Sequence, residues 1–299
     1  MMRGILLICL VVFLGFSLYG LEVGIDYRIG NLALGADRAK SDTTFDGMDF
    51  SAWGLDFYAK HKINDNVTIE TNFMNDPILR NIGYTQFFYR ESILNIGVGP
   101  FFGFFNSGLD PILKPGISTI VQLELPGLFF VSFRADSTQN SRLNLDLDYT
   151  QERTDVQFGF YVPNAICTIN LLNRQYTQKS GMDEIVDSLN EYSFKAEIFQ
   201  KNTPYKLFLS FGLENLGKNW INSTETVQQY LNSFIVGTAL DMNISRGIYI
   251  YLDVTHSIYT WGDADLLGIH TPGPGGYMFR GWAGFRINFD QLIPEPPVS

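Results

Sequence analysis

Leu21-Glu22-Val23-Gly24-Ile25-Asp26-Tyr27-Arg28-Ile29-Gly30 alternates a large apolar side chain with a charged or minimal one at every step. A β-strand sends successive side chains to opposite faces, so Leu21, Val23, Ile25, Tyr27 and Ile29 form an oily face and the residues between them a polar or bare one. The pattern returns along the chain. Val67, Ile69, Thr71 and Phe73 oppose Thr68, Glu70 and Asn72, while Leu143, Leu145, Leu147 and Tyr149 oppose Asn144, Asp146 and Asp148. Tyr192, Phe194, Ala196 and Ile198 oppose Glu191, Ser193, Lys195 and Glu197, and Ile248, Ile250, Leu252 and Val254 oppose Tyr249, Tyr251, Asp253 and Thr255. The last run sets Tyr277, Phe279, Ala283, Phe285, Ile287 and Phe289 against Arg280, Trp282, Arg286 and Asn288. The fold class is all-β.

Persistent alternation fits two architectures. In a soluble sandwich the oily face packs on a second sheet; in a membrane barrel it meets lipid and the polar face lines the interior. Strand length separates them, because sandwich strands run about five or six residues and a tilted membrane-crossing strand needs about nine to eleven. Many of these runs reach the longer figure. Aromatic residues also sit at or near run ends, at Tyr27, Phe57, Phe88, Tyr149, Tyr205, Tyr259 and Phe289, where a girdle at the lipid headgroups wants them. The expectation is a single closed antiparallel transmembrane β-barrel.

Composition agrees. Of 299 residues 45% are hydrophobic and 15% aromatic but only 17% charged, which excludes a disordered chain and a Lys/Glu-rich helical bundle. A net charge of -10 without a basic patch argues against a nucleic-acid partner. At the start, Arg3, the apolar residues 5–16 and the small residues of 17–20 read as a secretory signal peptide, too short for a spanning helix. The expected organisation is a signal peptide over residues 1–20, a barrel over 21–289 and a Pro-rich tail over 290–299. Cleavage removes Cys9 and leaves Cys167 alone, so no intramolecular disulfide forms.

Short and longer connections alternate. Tight turns are expected at residues 61–66, 90–92, 125–127, 151–153, 201–204 and 243–246, and longer links at 35–49, 75–79, 106–115, 136–141, 176–190, 215–230 and 260–276. If residues 154–175 form one strand, kinked at Pro163-Asn164, the count is about fourteen strands, in a range of about twelve to sixteen. Two of the longer links, at 181–190 and 222–232, carry short helical spacing through Ile185 and Leu189, and through Val227 and Leu231.

Residues 21–289 resemble a medium-sized bacterial outer-membrane β-barrel. Gly281-Trp282-Ala283-Gly284-Phe285-Arg286-Ile287-Asn288-Phe289 is similar to the terminal strand signal that the barrel-assembly machinery reads. The resemblance implies an outer-membrane location, contact with outer-membrane lipid, and that machinery as a partner during biogenesis. One departure is the tail after Phe289, residues 290–299, which resembles that of spirochaetal and other diverged barrels.

Function is expected inside, since the membrane dictates the outer face. The pore-lining set is Glu22, Asp26, Arg28, Asp56, Lys60, Glu70, Glu124, Arg134, Asp146, Asp148, Lys195, Glu197, Lys206, Asp253, Arg280 and Arg286. Both signs are present, with acids in excess. A passive channel for small hydrophilic solutes is one reading; a non-conducting barrel with a structural, adhesin or surface-display role is another. Phe101, Ile120, Phe199 and Phe208 on the polar register leave room for a third, transport of a hydrophobic substrate. No enzyme, cofactor or metal is expected: HExxH, GxSxG and Cys-rich metal patterns do not occur, and the adjacent His256 and Ser257 point to opposite faces of a strand. N-terminal sequencing of the protein exported by a Gram-negative host is expected to begin at Leu21; retention of the first twenty residues would show that the segment is not a cleaved leader.

Overall fold

The structure is a computed structural model that describes residues 20–30, 52–76, 78–106, 111–139, 147–199, 203–221, 226–262 and 279–292. Most of the leader and of the tail therefore lies outside the described residues. The described chain forms fourteen strands: β1 (Leu21–Gly30), β2 (Ala52–Lys62), β3 (Val67–Asp76), β4 (Arg80–Glu91), β5 (Leu94–Asn106), β6 (Pro111–Leu125), β7 (Phe129–Thr138), β8 (Leu147–Val162), β9 (Ala165–Ser180), β10 (Asp183–Phe199), β11 (Tyr205–Ile221), β12 (Thr226–Ser245), β13 (Ile248–Gly262) and β14 (Phe279–Asn288). A single helical turn, α1 (Phe289–Leu292), follows.

Each strand pairs antiparallel with its sequence neighbours, and β14 returns to β1 with Ile25 opposite Phe285 and Glu22 opposite Asn288. The barrel is closed. No strand is left with an unpaired edge, which is what a sheet in hydrocarbon requires.

The distribution of side chains is inverted relative to a soluble protein. Leu55, Phe87, Ile117, Phe133, Phe158, Phe211, Val236 and Leu252 are among the large apolar residues exposed on the outer face. Asp76, Gln86, Asp136, Gln151, Asp187 and Glu214 are among the polar residues buried inside. Two stacked sheets would hide the oily rows, and no described element covers these. An exposed apolar surface on this scale fits lipid as the outer solvent.

Three local expectations are corrected. Gln151, Glu152 and Arg153 do not turn: they lie inside β8 and pair with Tyr176, Gln175 and Arg174. The tight turn is instead Pro163-Asn164, between β8 and β9, where Pro lacks the N–H a continuing ladder needs and Asn164 takes the left-handed conformation at φ 61°. Residues 183–190 and 226–232 are not helical, because continuous ladders to the neighbouring strands supply more backbone hydrogen bonds than one or two helical turns would. The link between β9 and β10 shrinks to Gly181-Met182, with Gly181 at φ +60°. Fourteen survives as the count because one short hairpin replaces another.

The wall is tight between β6 and β7. A Cβ built on Gly116 would lie 2.1 Å from the carbonyl oxygen of Ser137, backbone that cannot step aside. Gly116→Ala is expected to cost about 1–3 kcal/mol, seen as a lower urea midpoint for the refolded barrel; an unchanged midpoint would show that the strands separate freely there.

Candidate functional site

The connection between β3 and β4 does not stay in the wall. Asp76 ends β3, and its Oδ1 accepts hydrogen bonds from the backbone N–H of Ile78 (2.8 Å) and Leu79 (2.9 Å), an Asx-type turn that folds the chain back tightly. Arg80 then takes a left-handed conformation at φ 62°. The outcome is a short segment aimed into the lumen. Leu79 is fully buried against Ile82, Tyr84 and Phe101, with Met74 beside them.

The segment reaches the opposite wall. In the ring of fourteen, β3 and β9 stand six strands apart, as do β4 and β10. Arg174 Nη1 on β9 nevertheless donates to Asp76 Oδ2. Arg80 Nη2 lies 3.7 Å from Asp187 Oδ2 on β10, and its guanidinium sits 4.2 Å above the Tyr176 ring of β9. Gln151 Nε2 on β8 donates to the carbonyl of Leu79. Two ion pairs, a cation–π contact and a side-chain hydrogen bond to the Leu79 carbonyl thus latch the β3–β4 segment across the barrel.

Further pairs surround it at the same depth. Arg134 Nε donates to Asp136 Oδ2 (2.8 Å) and its guanidinium lies 4.1 Å over Tyr84. Asp136 also accepts from Ser118, which in turn accepts from Gln86 Nε2 (2.8 Å). Arg153 pairs with Asp155, and Arg280 with Glu214. Tyr149 stacks on Tyr176 at 6.2 Å and donates to the carbonyl of Gly103 (2.9 Å). Charges taken this far from water persist only when paired, and each of these arginines has a carboxylate.

Toward the short-turn end the lumen is wetter. Lys60 pairs with Glu70 (2.8 Å), Arg90 with Glu124 (3.0 Å) and Lys206 with Glu197 (2.8 Å). The cations of those pairs are 43–54% exposed, whereas the carboxylates of Asp76, Asp187 and Glu214 are 0–2% exposed. These pairs are therefore more accessible to water than the latch carboxylates.

The inner register carries Glu22, Asp26, Asp56, Lys60, Glu70, Glu124, Arg134, Lys195, Glu197, Lys206, Asp253, Arg280 and Arg286. Arg286 pairs with Asp241, Tyr251 donates to Asp253 (2.7 Å), and Lys195 lies 4.8 Å over the Phe208 ring. Arg28 shares that register through its backbone, but its side chain and the whole of Asp146 lie outside the described residues. Asp148 lies opposite Lys179 on the outer register through its backbone, while at the start of β8 its carboxylate meets the buried, inward-facing Lys114. His256 is exposed opposite Val236 and Ser257 is buried opposite Ile235, on opposite faces.

Asp76 and Asp187 fall in the links expected at residues 75–79 and 176–190, and Arg153 in the turn expected at 151–153, so none of the three stands out in the sequence as an inward residue. Arg134/Asp136 and Arg153/Asp155 were within reach of the sequence, since opposite charges two residues apart share one strand face.

No family model and no curated protein matches the sequence. Solved structures with which the chain aligns include OmpT of Vibrio cholerae (9% identity over 89% of this chain and 96% of that one, TM-score 0.43). Others are an anion-selective porin from Comamonas acidovorans (10%, 89% and 98%, TM-score 0.43) and an outer membrane channel from Pseudomonas putida (8%, 90% and 95%, TM-score 0.48). In fold the chain is an outer-membrane-type β-barrel.

Arg174→Ala strips the buried Asp76 carboxylate of the Arg174 guanidinium and is expected to destabilise the barrel by about 3 kcal/mol, measured by urea unfolding in detergent. Adding Asp76→Asn should recover part of that loss; a wild-type midpoint for Arg174→Ala would show that the cross-lumen pair does not form.

Proposed function

We propose that the protein is an outer-membrane channel for small hydrophilic solutes whose resting lumen is shut by the β3–β4 latch. The observation that carries this reading is the pair of contacts Arg174–Asp76 and Arg80–Asp187, which tie a turn from one wall to strands of the other. A charged, hydrated vestibule leading to such a turn suits polar solutes and ions. The closing element is a short segment between two strands, so releasing the latch does not require the barrel itself to open. Delivery by the leader, insertion by the barrel-assembly machinery and a surround of outer-membrane lipid complete the proposal.

A sealed barrel with a structural or surface role is the second reading, favoured by the packing of Leu79 against Ile82 and Phe101. The same packing argues against a hydrophobic cargo, because Phe101 is consumed by the latch core instead of lining an apolar pocket.

Planar-bilayer recording of the refolded protein separates these readings. Wild type is expected to give small, infrequent steps, and the double variant Arg80→Ala/Arg174→Ala steps several-fold larger. Steady wild-type steps equal to those of the variant would remove the latch from the mechanism, and silence from both folded proteins would leave the sealed barrel.

A further inference from the structure

The outer face of β9 to β12 changes character along a single row of the sheet. One row reads Leu171, Tyr192, Leu213 and Phe234, side by side on the four strands. Two residues farther from the short-turn end, the next row on the same face reads Asn173, Asn190, Asn215 and Asn232. Four strands contribute the same residue at the same level. Their amides are tied in pairs, Asn173 Nδ2 donating to Asn190 Oδ1 (2.6 Å) and Asn215 Nδ2 to Asn232 Oδ1 (2.7 Å). Each pair fixes the orientation of its amides while using only one donor and one acceptor of the several that two primary amides carry.

The next two rows on this face add Gln175, Ser188, Tyr230, Thr177, Asn219 and Gln228. Across the three rows ten of twelve positions carry an amide or hydroxyl, and none carries a charge. Charge returns only beyond them, where Lys179 and Glu184 pair with each other at 3.2 Å.

A surface meeting phosphate headgroups is furnished with Lys and Arg, which bind phosphate as charge-assisted partners. This one has none. Neutral amides and hydroxyls, offering donors and acceptors together, complement a partner that does the same without charge, and sugar hydroxyls have that chemistry. The oily row directly beneath completes the match: a single amphiphile can lay its acyl chains against Leu171, Leu213 and Phe234 and its headgroup against the asparagine row. A second protein copy would find almost no apolar side chain in the three polar rows to bury, so a lipid suits the face better.

We infer that the outer face of β9 to β12 docks an uncharged glycolipid of the surrounding leaflet, its sugar hydroxyls on Asn173, Asn190, Asn215 and Asn232. The site lies outside the lumen, so it stands or falls separately from the channel reading.

Native mass spectrometry of the protein refolded into detergent tests this, with digalactosyl diacylglycerol and phosphatidylglycerol as probes. The galactolipid is expected to be retained roughly tenfold more strongly, the scale of one or two net hydrogen bonds. The quadruple variant with Asn173, Asn190, Asn215 and Asn232 each changed to Leu should lose that preference. Asn190→Lys/Asn215→Lys, which keeps most of the row should the quadruple variant fail to fold, should turn the preference toward phosphatidylglycerol. Equal retention of both lipids by wild type, a preference that survives in the folded variants, or a stable dimer in place of bound lipid would overturn the inference.

Discussion

A backbone amide in hydrocarbon has no water to bond with, so every N–H and C=O of a membrane-crossing strand must find another strand. Closure follows from that constraint. The pairing of β14 with β1 removes the last edge, and the alternation of side chains then divides the molecule into a face that meets lipid and a face that meets the lumen. Neither face is free to vary alone, because a register slip of one residue would exchange them along a whole strand.

The enclosed face carries a burden that the outer one does not. It holds many ionisable groups in an enclosed space, and burial of a lone charge is far more costly than burial of a pair. The observed pairs, Arg134 with Asp136, Arg153 with Asp155, Arg280 with Glu214, Arg174 with Asp76 and Arg80 with Asp187, meet that requirement. The first two join residues of one strand and stiffen the wall, and the third joins β14 to β11 across part of the ring. The last two span the lumen and tie the β3–β4 segment to β9 and β10. One physical need, partners for buried charge, thereby draws a turn from one wall toward the other.

Alternation was legible in the sequence wherever the membrane enforces it, as in residues 21–30 and 248–255. It fades where strands outgrow the lipid. The upper parts of β9 to β12 have polar residues on their outer face as well as charged or apolar ones inside, so Asn190, Asn215 and Asn232 read as link rather than strand. A polar triplet such as Gln151-Glu152-Arg153 resembles a turn in water, yet in a barrel it is a strand with Gln151 and Arg153 facing inward. The latch was not legible, because its partners lie about a hundred residues apart and meet only when the sheet is rolled. Its segment spans few residues, and nothing in their types distinguishes a turn that folds inward from one that faces solvent.

The oily rows of this barrel face acyl chains and the polar rows are enclosed. Site-directed spin labelling along β13 tests it most directly: single cysteines at positions 248 to 255 in a Cys167→Ser background, in a reconstituted bilayer, probed with oxygen and with a water-soluble nickel complex. High oxygen accessibility at Ile248, Ile250, Leu252 and Val254, alternating with low values at Tyr249, Tyr251, Asp253 and Thr255, is the expected result. Loss of the alternation, or the nickel complex reaching the apolar positions first, would contradict it.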